Sequence, residues 1–138
     1  MRGILFKAKR IDNEEWIIGN LVLSEDAEEG WETIIIPTFD SNMFTRGGSK
    51  GNLGFENWHR VDRKTLCQYT GLIDKNGDNI WENDIVKLDD DFYIVTWEED
   101  DAMFALEDVS LIESFNNVDS KWCEVVGNII DSPKFFNE

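Results

Sequence analysis

No stretch of this chain repeats apolar residues at the three-and-four spacing of an amphipathic helix for any length. What it offers instead is a series of short runs rich in β-branched and aromatic residues, each bounded by Asn, Asp or Gly. The runs fall at residues 4–9, 16–23, 33–36, 66–72, 84–88, 92–97, 102–106 and 124–130. Branched and aromatic side chains lose rotamer freedom against a helical turn but pack well on a pleated surface, so each run predicts a strand.

In 92–97, Tyr93, Val95 and Trp97 share one face and Phe92, Ile94 and Thr96 the other, which predicts a strand buried on most of both faces. The joins at 74–79, 89–91 and 98–101 have hairpin lengths. The expected fold class is therefore all-β, with an antiparallel meander in the C-terminal portion that curls into a small barrel, because closure removes exposed edges. Leu72, Ile85, Val86, Ile94, Val95, Phe104, Leu106, Val125 and Ile129 are the expected core of that barrel. Short helical turns are expected after Asp62 and at Ser132 and Pro133, where Ser can cap and Pro fits the first helical position.

Charge divides the chain. The 138 residues hold 29 acidic and 13 basic side chains, net −16. Residues 1–66 carry 9 basic and 11 acidic groups, whereas 67–138 carry 4 and 18. The shift predicts a smaller β-rich N-terminal portion, 1–62, followed by an acidic C-terminal domain, 63–138. A chain with this charge is repelled by phosphates, which argues against direct nucleic-acid binding and against anionic membranes. No apolar run reaches the ~18 residues of a membrane span and the first ten residues do not read as a signal peptide, so a cytoplasmic protein is expected.

The chemistry-bearing residues are few. His59 is the single histidine, between Trp58 and Arg60, so a His-based triad or a zinc site built on several His has only this residue to draw on. Cys67 and Cys123 are too far apart for a CxxC motif and are expected as buried, reduced thiols. The run from Asp74 to Asp78 opens like a calcium loop, but Asn79 and Ile85 stand at its sixth and twelfth positions, where Gly and Glu are needed. It reads as a hairpin turn, and no metal or other cofactor is expected. Gly47, Gly48, Ser49, Lys50 and Gly51 lack the spacing of a phosphate loop and read as a plain loop. The six tryptophans, at 16, 31, 58, 81, 97 and 122, are read as core; sugar-stacking platforms are the other reading.

The segment from Gln68 to Leu88 has a distinctive order of features. Gln68, Tyr69, Thr70, Gly71 and Leu72 are followed by the turn Asp74 to Gly77, then by Trp81, Glu82, Asp84, Ile85 and Val86. Further on come Glu124 to Ile129 and then Asp131, Ser132 and Pro133. This order resembles the YopX-like family of phage and prophage proteins, strongly over 66–136 and loosely before that. Asn83 stands where that family has Gly before Asp84, and asparagine enters positive φ less freely than glycine. The resemblance implies an all-β protein whose C-terminal portion is a barrel of the Src-homology-3 type, and it implies no established activity. In physical terms the signature concerns folding: the turn sets register, and Asp84 can accept backbone donors where a strand begins.

The function expected is that of a non-enzymatic phage accessory protein whose acidic surface binds a basic host or phage protein. One alternative is a DNA mimic that inhibits a host DNA-binding protein or nuclease. Another is an enzyme using a carboxylate-bound metal, although sequence spacing singles out no catalytic pair and no catalytic residue is named. Self-association is opposed by the net charge unless it uses the less charged N-terminal portion. The strand 92–97 spans roughly 20 Å, which separates the turns 89–91 and 98–101. The turn 74–79, counted one strand earlier, is expected at the same end as 98–101. Asp74, Asp78, Glu98, Glu99, Asp100 and Asp101 are thus expected on one rim, as the partner-binding site.

Overall fold

The structure is a computed structural model and describes residues 3–38, 42–46, 52–108 and 112–136. The glycine-rich stretch 47–51, expected as a loop, lies outside the described residues. The chain forms two compact units, one made of Ile4–Leu66 and the other of Met1–Gly3 with Cys67–Glu138.

The unit Ile4–Leu66 contains β1 (Phe6–Lys9), β2 (Trp16–Leu23), β3 (Thr33–Pro37), the hairpin β4 (Met43–Arg46) and β5 (Asn52–Phe55), and β6 (His59–Arg60). Its main sheet is antiparallel in the order β6-β3-β2-β1. The registers Ala8↔Ile17, Leu21↔Ile35 and Ile35↔His59 put one stripe of each strand on the same face. That face is the core: Ala8, Ile35 and Val61 are buried, with Phe6, Ile17 and Leu66 packed against them. The opposite face carries Lys7, Lys9, Trp16, Ile18, Val22, Ile34 and Arg60, since alternate residues point to opposite sides. The sheet curls about its core until the end of β1 meets the chain after β6. A bridge joins Arg10 to Val61, the Ile11 amide donates to the Arg60 carbonyl (3.1 Å) and the Asp62 amide to the Lys9 carbonyl (2.8 Å). Just beyond, Asp62 caps the 3₁₀ turn Arg63–Thr65 by accepting from the Lys64 amide (3.0 Å), as its position after the strand predicts.

In the second unit, β7 (Cys67–Ile73) and β8 (Asn79–Trp81) form a hairpin closed by the turn Asp74–Asp78. β9 (Asp84–Leu88), β10 (Asp91–Glu98), β11 (Met103–Glu107), β12 (Ile112–Ser114) and β13 (Glu124–Asn128) make a separate antiparallel sheet. A single helical turn, α1 (Asn117–Ser120), precedes β13. Ile80, Val86, Val95, Leu106, Phe115 and Cys123 form the buried core, with Leu72, Phe104 and Val125 among the residues packed on it.

The protein is all-β, as expected, but the expected barrel of the Src-homology-3 type is not formed: the sheet is open, in the order β12-β11-β10-β9-β13. Only β9 to β12 follow one another as a meander. β13 returns from the C-terminal end to pair with β9, with a bulge between Val125 and Gly127. β12 and β13 are thus the two margins of the sheet and do not pair with each other. The strand buried on both faces is β9, where Asp84, Ile85 and Val86 are all buried, and not β10, whose Phe92 and Trp97 are exposed. Alternation alone does not say whether the second face of a strand will be covered.

Candidate functional site

The structure separates the residues expected on one acidic rim. Asp74 is buried, and its carboxylate is fully occupied by the backbone. Oδ1 accepts from the amides of Asn76 and Asp78, each at 2.9 Å, and Oδ2 from the amide of Val125 at 3.0 Å. Burial pushes its pKa up, but those three donors and the neighbouring Lys75 charge outweigh burial and hold it below the ordinary carboxylate value. Asp74 is thus a clamp between the hairpin turn and β13. Asp78 is exposed in the same turn, where its carbonyl accepts from the Asp74 amide at 2.8 Å.

The other four residues lie elsewhere. Glu98 ends β10 opposite Met103, and Glu99, Asp100 and Asp101 are exposed in the turn that follows, with the Ala102 amide donating to the Glu99 carbonyl at 3.2 Å. Val125 pairs with Val86, and Val86 with Tyr93, so the Asp74 carboxylate sits level with Tyr93. Glu98 is five residues further along β10, a displacement of roughly 17 Å. The turn containing Asp74 therefore shares its end of the sheet with Asp89, Asp90 and Asp91. The parity fails because two strands intervene, not one: the short β8 is followed by a turn at Glu82 and Asn83 before β9 begins. Among the described residues no group of three or more His, Cys, Asp or Glu could hold a metal ion.

A cleft that the sequence reading missed lies in the unit Ile4–Leu66. It has a volume of about 240 Å³ and is lined by Ile11, Asp12, Trp31, Trp58, His59 and Arg60. The Trp31 and Trp58 rings stand 5.9 Å apart at 48°, and both are exposed, at 42% and 47%. These two tryptophans are not core, and neither are the exposed Trp97 and Trp122, which corrects the expectation for all four. Trp31 and Trp58 are each held by backbone contacts. Trp31 closes a turn by donating its amide to the Glu28 carbonyl (2.9 Å), and the preceding Gly30 has φ +85°. The positive φ favours glycine there, and a Cβ would lie 2.5 Å from the end of the Arg60 side chain, which would have to shift. The Arg60 Nε donates to the Gly30 carbonyl at 2.7 Å, which lays the guanidinium 4.5 Å from the centre of the Trp31 ring.

Trp58 follows Asn57, whose backbone is gripped from both sides by the buried Asn42. The Asn42 amide group donates to the Asn57 carbonyl (3.1 Å) and its oxygen accepts from the Asn57 amide (2.7 Å). At the rim, Arg10 pairs with Asp12 through two hydrogen bonds of 2.9 and 2.6 Å, which lowers the Asp12 pKa. Burial, and then the Arg10 charge, push the His59 pKa below its ordinary value, against the pull of Asp12. Both effects favour the neutral imidazole. The cleft offers aromatic faces, one stacked guanidinium, the Asp12 carboxylate and the His59 imidazole, an arrangement suited to binding a planar group. Local context gives no signal for this: Trp81, between Ile80 and Glu82, is buried, whereas Trp97, between Thr96 and Glu98, is exposed.

The two cysteines are free thiols, both fully buried. Burial, followed by the nearby Asp74 charge, pushes the Cys123 pKa up to about 11, so this thiol stays protonated. Among the described residues no helix is long and apolar enough to cross a membrane.

Known proteins resemble this chain in sequence pattern and in fold. A family model described as YopX protein matches residues 6–137. The crystal structure of protein EF1440 from Enterococcus faecalis is similar over 99% of this chain and 100% of that one, with a TM-score of 0.62 and 19% sequence identity. At that identity the likeness shows the fold alone. No curated protein matches the sequence.

Proposed function

The chain belongs to the YopX protein family, and from that premise we propose that it is a phage or prophage accessory protein acting in the host cytoplasm by binding a basic protein, without a reaction of its own. The observation that carries this reading is the placement of charge in the unit that contains Cys67–Glu138. Asp89, Asp90 and Asp91 are exposed at one end of its sheet, and Glu99, Asp100 and Asp101 at the other. Of the four basic residues in 67–138, Lys75 already faces Glu124 at 3.7 Å. Two concentrated acidic turns on a rigid sheet attract a basic surface from a distance and repel nucleic acid.

The expected partner is therefore a host or phage protein with a basic face. Affinity capture from host lysate at low ionic strength tests the reading. A discrete basic protein that elutes as salt rises is the expected result, and its binding should weaken when Glu98, Glu99, Asp100 and Asp101 are changed to Gln or Asn. Capture of no basic protein, or undiminished binding by that variant at low salt, would overturn it.

A further inference from the structure

The charge that lines the cleft of Trp31 and Trp58 runs against that of the chain. The sequence holds 29 acidic side chains against 13 basic ones, yet the Arg60 guanidinium forms no ion pair among the described residues. Its Nε donates to the Gly30 carbonyl, and its two terminal nitrogens have no hydrogen-bond partner among the described residues. The one carboxylate in the lining, Asp12, has both oxygens occupied by Arg10, at 2.9 and 2.6 Å. Those two charges offset each other, which leaves Arg60 as the uncompensated charge of the cleft. The His59 imidazole senses the same sign, since the Arg10 charge pushes its pKa down by more than Asp12 pulls it up. The indole N–H groups of Trp31 and Trp58 also have no hydrogen-bond partner among the described residues. The free polar atoms here are therefore mainly donors, set among exposed aromatic faces and the exposed Ile11.

We propose that this cleft binds a small aromatic carboxylate, its ring stacked on Trp58 and its carboxylate oxygens on the terminal nitrogens of Arg60. A guanidinium and a carboxylate are both planar and meet in two parallel hydrogen bonds. Arg60 is held in advance by its bond to Gly30 and by its stack on Trp31, 4.5 Å from the ring centre, so it loses little freedom when a ligand arrives. Trp31 neighbours both the guanidinium and the Trp58 ring, which brings the free indole face and the free donors within reach of one molecule. Size narrows the class. A volume of about 240 Å³ lies below the roughly 300–1,000 Å³ of pockets for drug-sized ligands and suits one or two fused rings. The site belongs to the unit Ile4–Leu66 and draws on none of the acidic turns, so it stands or falls apart from the reading above.

The test titrates the full chain with naphthoate and follows the indole N–H signals by NMR. Two comparison compounds separate the contributions: naphthamide keeps the rings and loses the charge, whereas cyclohexanecarboxylate keeps the charge and loses the flat ring. Naphthoate should shift the signals of Trp31 and Trp58, leave that of Trp122 in place, and bind about tenfold more tightly than either comparison compound. Arg60→Gln should weaken naphthoate about tenfold and leave naphthamide unchanged. Arg60 also holds Gly30 and Trp31, so the wild-type preference for naphthoate over naphthamide decides the same point without a variant. Trp58→Ala should weaken naphthoate about fivefold. Unmoved Trp31 and Trp58 signals at millimolar naphthoate would overturn the site. Equal binding of naphthoate and naphthamide by the wild-type chain would overturn its assignment to an anion. Cyclohexanecarboxylate binding as tightly as naphthoate, or full affinity in Trp58→Ala, would overturn the aromatic platform.

Discussion

The Asp74 carboxylate answers three backbone amides from two separate segments. Removing its charge leaves those amides with a poorer acceptor, at a cost of about 2 kcal/mol for Asp74→Asn. The cost should depend on pH. The folded pKa lies below the ordinary 3.8, so the folded state releases its proton more readily than the unfolded one. Stability from this group is complete above the unfolded value and is lost as pH falls through the folded one. Urea unfolding at pH 7 and pH 3 should show the gap between wild type and Asp74→Asn shrinking in acid. An equal gap at both pH values would mean that the charge is not its source. Glu82 has the opposite sign. Burial raises its pKa above 4.5, only partly countered by the Gln68 amide donating at 3.3 Å. Ionising it therefore costs stability as pH rises from 4.5 through the folded value. Glu82→Gln should gain stability relative to wild type between pH 4 and pH 7, measured the same way.

At the scale of elements, two turns set the course of the chain around β8 and β9. Gly77 closes the β7–β8 hairpin with φ +84°, and nothing lies within 4 Å of where its Cβ would be. Gly77→Ala therefore isolates the backbone penalty and should cost about 1–2 kcal/mol in thermal unfolding, with no steric contribution. Asn83 turns the chain from β8 into β9 with φ 72°, its amide donating to the Val95 carbonyl (2.7 Å) and its carbonyl accepting from Ile129 (3.0 Å). The left-handed conformation is thus kept although Asn replaces the family's Gly. Asn83→Ala should lose about 1 kcal/mol, whereas Asn83→Gly should unfold at or above the wild-type temperature, its relief of strain offset by loss of the side-chain contact to the Cys67 sulfur (3.4 Å). The Trp81 amide donates to Asp84 Oδ2 at 2.8 Å across this same turn, so Asp84 accepts the backbone donor that its place in the signature suggested. β2 and β9 were legible to the residue, because long alternating or apolar runs end there at polar turn residues. β4, β5, β6, β8 and β12 were not: they are two to four residues long and carry Gly, Asn, Arg or, in β12, Glu and Ser, so pairing creates them and not propensity.

For the whole molecule, a net charge of −16 means self-repulsion in the folded state. The melting temperature should rise between 0.01 and 0.5 M NaCl as that repulsion is screened, and a flat or falling profile would contradict it. The strand composition, the hairpin-length joins, the split in charge and the two buried cysteines all follow from the sequence alone, because each depends on residue type or on neighbours one or two positions away. What it could not determine is which strand takes an open edge. β13 pairs with β9 from beyond three other strands, β10, β11 and β12, in an open sheet, and the extra strand β8 puts Asp74 at the end opposite Glu98. The cleft of Trp31 and Trp58 has the same origin: the two rings are far apart in the chain, and Gly30, Asn42 and Arg60 bring them together through contacts that no local pattern encodes. Local propensity sets the pieces, but the pairing of distant edges is settled by which arrangement buries the most apolar surface and satisfies the most backbone groups at once.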